Sequence, residues 1–332
     1  MKLLDIERLQ ALTKESHASS IVYYKGHRVI AWFGGYQEGM DCDIWTQLDD
    51  QDPVSILTPK KYTNPNSLWN PILFTAGDDL LMFFKEGKFC DSWQTFILKC
   101  DIVKNKLIKR DIATIPAGMN AAVKTKPLQE NNLLICGSAV ETRNNWTSYI
   151  EAYSYDKGQL GIAGRSNPIK NKPINVPIKG LIQPALWKEG NTYHALLRSS
   201  TDSPFLYHCQ SKPDNPMYWE QAVPVNINNP NSSIDVLRHS NGKLYMAYNP
   251  SPSDRIPLVI SEFELIDKYD VPFIHIKKSI EIKLESNWQD FFANTRTVEL
   301  SYPFMIENPD GNIEVSYTFC RKEIRVATID PS

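Results

Sequence analysis

The feature that most constrains this chain is a repeat with a period of roughly 50 residues, the signature of a blade-built architecture. Six stretches share one grammar: a polar residue, a small residue or Pro, an apolar strand, a turn and a second apolar strand. They begin at His17-Ala18-Ser19-Ser20, Asn70-Pro71, Lys126-Pro127, Gln183-Pro184, Ser233-Ile234 and Tyr302-Pro303. Their second strands are Val29–Phe33, Leu80–Phe84, Leu133–Cys136, Tyr193–Leu197, Leu244–Tyr248 and Ile313–Tyr317. Hairpin turn chemistry joins them at Lys25-Gly26, Gly77-Asp78, Asn241-Gly242 and Asp310-Gly311, where residues with φ above zero match the twist of the flanking strands. Both strands of each hairpin are nearly continuous apolar runs, as expected for strands buried on two faces.

The pattern predicts an all-β fold, a single six-bladed β-propeller over residues 17–332. Segments between hairpins are long enough for two outer strands, and several carry a Trp expected to pack between blades: Trp45, Trp93, Trp146, Trp219 and Trp288. Residues 1–16 stand outside the repeat as an N-terminal extension. Leu3, Leu4, Ile6, Leu9 and Leu12 give it a weak helical periodicity.

In an antiparallel hairpin the start of the first strand and the end of the second share one end. That end therefore gathers His17, Asn70, Lys126, Gln183, Asn231 and Tyr302. It also gathers the exits at Glu38, Asp41, Glu141, Arg198, Arg255 and Arg321. Polar groups converging at the end of buried strands predict a ligand pocket on the axis.

Composition closes off other readings. A net charge of −2 lacks the dense basic face that nucleic acid requires. No run approaches the ~18 apolar residues of a membrane span, and no secretion-signal core precedes the repeat. The six cysteines have no paired spacing, so neither a zinc site nor a disulfide framework is expected. No cofactor is expected either. The expectation is a reduced, cytoplasmic protein, with room left for a membrane-bound partner subunit.

The order of motifs resembles the BNR-repeat "predicted neuraminidase" branch of the sialidase superfamily. The carrying residues are His17-Ala-Ser-Ser-Ile-Val, Trp32-Phe-Gly-Gly with Glu38-Gly39 and Ile44-Trp45, and Trp69-Asn70-Pro71. Further along come Lys126-Pro127, Ser138 to Glu141, Ile182-Gln183-Pro184, Leu197-Arg198-Ser199, Asn229-Pro230-Asn231-Ser232, Arg255-Ile256-Pro257-Leu258, Leu300-Ser301-Tyr302-Pro303 and Tyr317-Thr318 with Arg321. The Asp-box turn is degenerate; Ser211 to Trp219 is one residue too long and lacks its Gly.

The resemblance implies two carboxylate-binding arginines, Arg198 and Arg255, a nucleophilic Tyr302, and Asp41 as acid/base with Asp43 as the neighbouring candidate. His17 stands where that family has its first arginine, and Gln183 where it has the glutamate that assists the tyrosine. Glu141 or Glu38 is the candidate replacement for that carboxylate. Lys126, Asn70, Asn231 and Arg321 are candidate substrate contacts, although Lys126 and Glu141 can also pair with each other. The implied activity is an exo-acting hydrolase removing a terminal acidic sugar, a sialic acid or a 2-keto acid such as 3-deoxy-octulosonic acid, from a glycan or glycolipid. The alternatives are a uronate polysaccharide lyase, with His17 or Tyr302 as base, and a non-catalytic glycan-binding propeller.

Overall fold

A computed structural model describes residues 1–59, 66–172, 178–200, 203–268, 271–285 and 297–332. The described chain forms six antiparallel sheets arranged as a β-propeller. Strand β1 (Lys2–Arg8) joins the last sheet. Blade 1 is β2 (Glu15–Tyr24), β3 (His27–Gly35), β4 (Asp43–Leu48) and β5 (Val54–Leu57). Blade 2 is β6 (Ser67–Ala76), β7 (Asp79–Gly87), β8 (Gln94–Val103) and β9 (Lys106–Thr114). Blade 3 is β10 (Leu128–Glu130), β11 (Leu133–Glu141), β12 (Trp146–Asp156) and β13 (Gln159–Arg165).

Blade 4 carries β14 (Leu181–Glu189), β15 (Thr192–Ser199), β16 (Phe205–Lys212), β17 (Asn215–Trp219) and β18 (Val223–Asn228), with both β17 and β18 paired to β16. Blade 5 is β19 (Asp235–Arg238), β20 (Leu244–Tyr248), β21 (Leu258–Asp267) and β22 (Pro272–Ile282). Blade 6 is β23 (Leu300–Glu307), β24 (Ile313–Phe319), β25 (Glu323–Asp330) and β1.

The last pairing corrects the reading of the N-terminus. Residues 2–8 are a strand, running from Lys2 opposite Asp330 to Arg8 opposite Arg325. The two chain ends thus close the ring within one blade, and the Arg8 side chain binds Glu323 at 3.1 Å. The burial pattern along this edge strand is irregular, which is why its leucines mimic a helical spacing.

Inner strands are apolar on both sides because each blade packs its faces on two neighbours. Ile72, Phe74 and Phe83 of blade 2 share a cluster with Trp32 of blade 1 and Leu134 of blade 3. Trp45 packs on that cluster and Trp93 on Trp69, with ring centroids 5.8 Å apart. Trp146 covers Val123, Ala139 and Ile182, and Trp219 lies with Ile150 and Leu186. Trp288 lies outside the described residues. No described helix is long and apolar enough to cross a membrane.

Candidate functional site

One backbone device recurs in every blade. Ala18, Asn70, Ala121, Gln183, Asn231 and Tyr302, one per blade, all adopt φ between 43° and 56°. Outside glycine this conformation costs on the order of 1–3 kcal/mol and persists only where surrounding structure enforces it. In four blades it opens a bulge at which two inner-strand residues face one partner. These pairs are Ala18-Ser19, Asn70-Pro71, Gln183-Pro184 and Tyr302-Pro303. Such a bulge breaks the alternation and re-aims the side chain at the strand's start.

The device corrects two registers. His17 falls one residue before the left-handed position rather than on it. Blade 3's equivalent is Ala121, not Lys126, because β10 has only three residues and the preceding segment takes over the axial position. Lys126 binds Asp235 at 2.8 Å instead of Glu141. Asn70 turns its amide to the carbonyl of Val123 at 3.0 Å.

Three guanidinium groups from three elements meet here. Arg198 ends β15, Arg255 lies between β20 and β21, and Arg321 sits in the turn between β24 and β25. Arg198 and Arg255 each donate to the Asn231 carbonyl at 3.0 Å. Glu299, fully buried, binds Arg255 at 2.9 Å and Arg321 at 2.6 Å, and Arg321 also binds Glu38. Glu299 went unnoticed in the sequence, where its only signal is a carboxylate heading an apolar strand.

The His17 ring lies 4.2 Å from that of Tyr302 and edge-on to Phe33 at 5.5 Å. Burial holds the imidazole well below its usual pKa, and Arg321, Arg255, Lys124 and Arg198 add to the effect. The His17 imidazole is therefore uncharged at neutral pH. The half-buried Tyr302 has Arg198 at 5.7 Å from its ring centre, with Arg255 and Lys124 at 5.9 Å.

Neither candidate glutamate supports the Tyr302 hydroxyl. Glu38 is taken by Arg321. Glu141 is raised in pKa by burial, and Arg198 and the neighbouring Gln183 amide pull it partly back. Among the described residues no carboxylate is hydrogen-bonded to that hydroxyl. The acid/base candidates separate too: the Asp43 carboxylate accepts from Ser55 at 2.8 Å on the outer strand, while Asp41 is exposed on the loop after β3.

The cluster is chemically incomplete. Both nitrogens of His17, one oxygen each of Glu141 and Gln183, Nε of Arg198 and Oδ1 of Asn231 are buried without a hydrogen-bond partner among the described residues. Native interiors satisfy nearly all such groups, so orphans gathered in one place mark a site built for a ligand. A separate concavity, about 1180 Å³, lies between blades 4 and 5 and is lined by Lys170, His208, Tyr218 and Ile266. It contains none of these residues, and the orphan groups weigh more than volume. Among the described residues no group of His, Cys, Asp and Glu could hold a metal ion.

The fold and its inward-facing bulges define a sialidase-like β-propeller. The chain belongs to the BNR repeat-like domain family, which it matches over residues 26–315. No curated protein sequence matches it. Among solved structures it is similar to Trypanosoma rangeli sialidase in complex with sialic acid, at 10% identity and a TM-score of 0.63, over 97% of this chain. It spans only 55% of that sialidase's length. It is similar over 99% of both chains to a Penicillium chrysogenum α-L-arabinanase complexed with arabinobiose, at 12% identity and a TM-score of 0.60. A leech intramolecular trans-sialidase matches with 10% identity and a TM-score of 0.59, over 99% of this chain and 69% of that one. These likenesses concern the fold.

Proposed function

We propose that this protein is an exo-acting glycoside hydrolase that removes a terminal acidic sugar, a sialic acid or a related 2-keto sugar acid, from a glycan or glycolipid. The observation that carries this reading is the convergence of Arg198, Arg255 and Arg321 beside orphan polar groups and a neutral imidazole. A guanidinium donates two parallel hydrogen bonds to a carboxylate, and three of them far exceed what a neutral sugar needs. In this reading the arginines hold the carboxylate and Asp41 gives its proton to the leaving oxygen as the glycosidic bond breaks. Tyr302 sets its hydroxyl oxygen against the electron-poor anomeric carbon, where a tyrosine avoids the repulsion a carboxylate would meet from the substrate; a water then adds to that carbon and returns a proton to Asp41. All six cysteines are unpaired, which supports a reducing, cytoplasmic setting.

His17 favours a second reading. A neutral imidazole keeps a lone pair on one nitrogen, and neither His17 nitrogen has a hydrogen-bond partner among the described residues, so the ring can take the proton beside a carboxylate as a uronate lyase requires. The deciding experiment offers acidic oligosaccharides ending in N-acetylneuraminic acid, 3-deoxy-octulosonic acid or glucuronic acid and follows the product. Release of a free reducing acid supports the hydrolase. An unsaturated, ultraviolet-absorbing product selects the lyase, and binding without turnover leaves a glycan-binding propeller.

A further inference from the structure

The axis of the propeller is filled by four consecutive residues of blade 3. The Val123 carbonyl accepts from Asn70 of blade 2 at 3.0 Å, and Thr125 donates to the Pro184 carbonyl of blade 4 at 2.7 Å. Lys126 binds Asp235 of blade 5 at 2.8 Å. Between them the ammonium of Lys124 donates to the Ser19 carbonyl of blade 1 at 3.3 Å and to the Pro303 carbonyl of blade 6 at 3.2 Å. Residues 123–126 thus touch all five other blades.

Ser19 and Pro303 are not arbitrary acceptors. Each is the second residue of its blade's bulge, directly after the left-handed Ala18 and Tyr302. His17 precedes Ala18, so the two carbonyls sit just behind the residues that present the His17 and Tyr302 rings, which meet at 4.2 Å with a tilt of 52°. Blades 1 and 6 also meet through the Ser16 N–H, which donates to the Arg321 carbonyl at 2.9 Å, and the Ala18 N–H, which donates to the Thr318 hydroxyl at 3.2 Å; Lys124 adds the contact that reaches both bulges from the axis.

Lys124 is fully buried. A lysine in such a place is costly unless its ammonium is hydrogen-bonded. Burial pushes its pKa down to about 7, with Asp235 opposing and Lys126 and Arg198 adding to the fall.

We propose that Lys124 is a positioning residue: from the axis it holds the main chain behind Ala18 and Tyr302, and so sets the spacing of the His17 and Tyr302 rings. The proposal concerns ring geometry and is tested without substrate, so its failure is separate from failure of the hydrolase reading.

The test is a heteronuclear NMR spectrum of protein carrying isotope-labelled histidine, with His17 assigned by its loss in His17→Gln. Tyr302→Leu removes the ring current of Tyr302 and so fixes the size of its displacement of the His17 resonances. Lys124→Met is expected to lose most of that displacement. Lys85→Met is expected to lose none; Lys85 is equally buried but donates to the Ala122 carbonyl instead. Lys124→Gln keeps a donor but is too short to reach both carbonyls, and should fall between Met and wild type. An unchanged displacement in folded Lys124→Met, or an equal loss in Lys85→Met, overturns the proposal. If the Met variant does not fold, full displacement in Lys124→Gln overturns it.

Discussion

Arg198 and Arg255, carried by blades 4 and 5, donate to one and the same oxygen, the Asn231 carbonyl, each at 3.0 Å. That oxygen belongs to a residue held in the left-handed conformation. This left-handed residue of blade 5 therefore ties two guanidinium groups to one oxygen, and a ligand carboxylate meets a preset pair of forks.

The first expectation concerns this pair. Arg198→Ala and Arg255→Ala should each weaken binding of an acidic monosaccharide by about 2–3 kcal/mol, roughly 30- to 150-fold. Because the two share an acceptor, the double variant should lose less than the sum. Calorimetric titration reads this, and full additivity would show that the arginines act independently.

A second expectation concerns Glu299. It is fully buried and holds both Arg255 and Arg321. Glu299→Gln keeps the shape but leaves Arg255 without its counter-charge and Arg321 with Glu38 alone, at a cost on the order of 3 kcal/mol of stability. Urea denaturation should show a lower midpoint with an unchanged slope. A midpoint equal to wild type would mean that solvent or Glu38 carries those charges.

The third expectation is a pH dependence of stability. His17 and His208 have folded pKa values below the unfolded 6.5, His208 at about 3, mainly because burial disfavours the charged form. The unfolded chain therefore binds protons first as pH falls, so their contribution is complete above about pH 6.5 and is lost below it. Lys85 and Lys124 are lowered to about 7 by burial, with nearby acids partly opposing. Between that value and 10.5 the unfolded state again holds more protons, so stability should rise with pH there as well. Thermal midpoints should climb from pH 5 to about 8.5, before buried thiols and phenols reverse the trend. Lys85→Met should flatten the climb above pH 7.

Much of this architecture was legible in the chain. Val29–Phe33, Leu80–Phe84 and their counterparts are apolar on both faces, and Gly and Asn turns mark where each hairpin reverses. Strand β1 was not legible, because its partner β25 lies at the far end of the sequence and its leucines are equally compatible with a helix. Blade 3 misled for a different reason. Lys126-Pro127 imitates Asn70-Pro71, while the left-handed residue of blade 3 is Ala121, followed by Ala122 rather than Pro. Lys124 and Glu299 gain their meaning only from acceptors and donors in other blades. The gathering of His17, Arg198, Arg255, Arg321 and Tyr302 at one end did follow from hairpin geometry alone.

The last expectation separates the two chemistries. Among the described residues no carboxylate is hydrogen-bonded to the Tyr302 hydroxyl, and a tyrosine without a neighbouring base is a poor nucleophile. Burial raises the pKa of Glu141 and so favours its protonated form, with Arg198 opposing. Glu141→Gln mimics that form and should therefore keep turnover within about tenfold of wild type, a change of ~1.4 kcal/mol or less. Tyr302→Phe keeps the ring over the anomeric centre but removes the hydroxyl. In the hydrolase it should lower turnover by roughly a hundredfold while leaving binding of the acidic sugar in place. His17→Gln should then have a smaller effect on turnover, since the imidazole supports the Tyr302 ring without handling a proton. In a lyase the order reverses. His17→Gln would abolish turnover, because it removes the group that takes the proton beside the carboxylate, and Tyr302→Phe would be the milder change. Single-turnover rates of the two variants on one acidic oligosaccharide decide between them. A Glu141→Gln defect as deep as that of Tyr302→Phe would show instead that the glutamate moves to the tyrosine once ligand is bound.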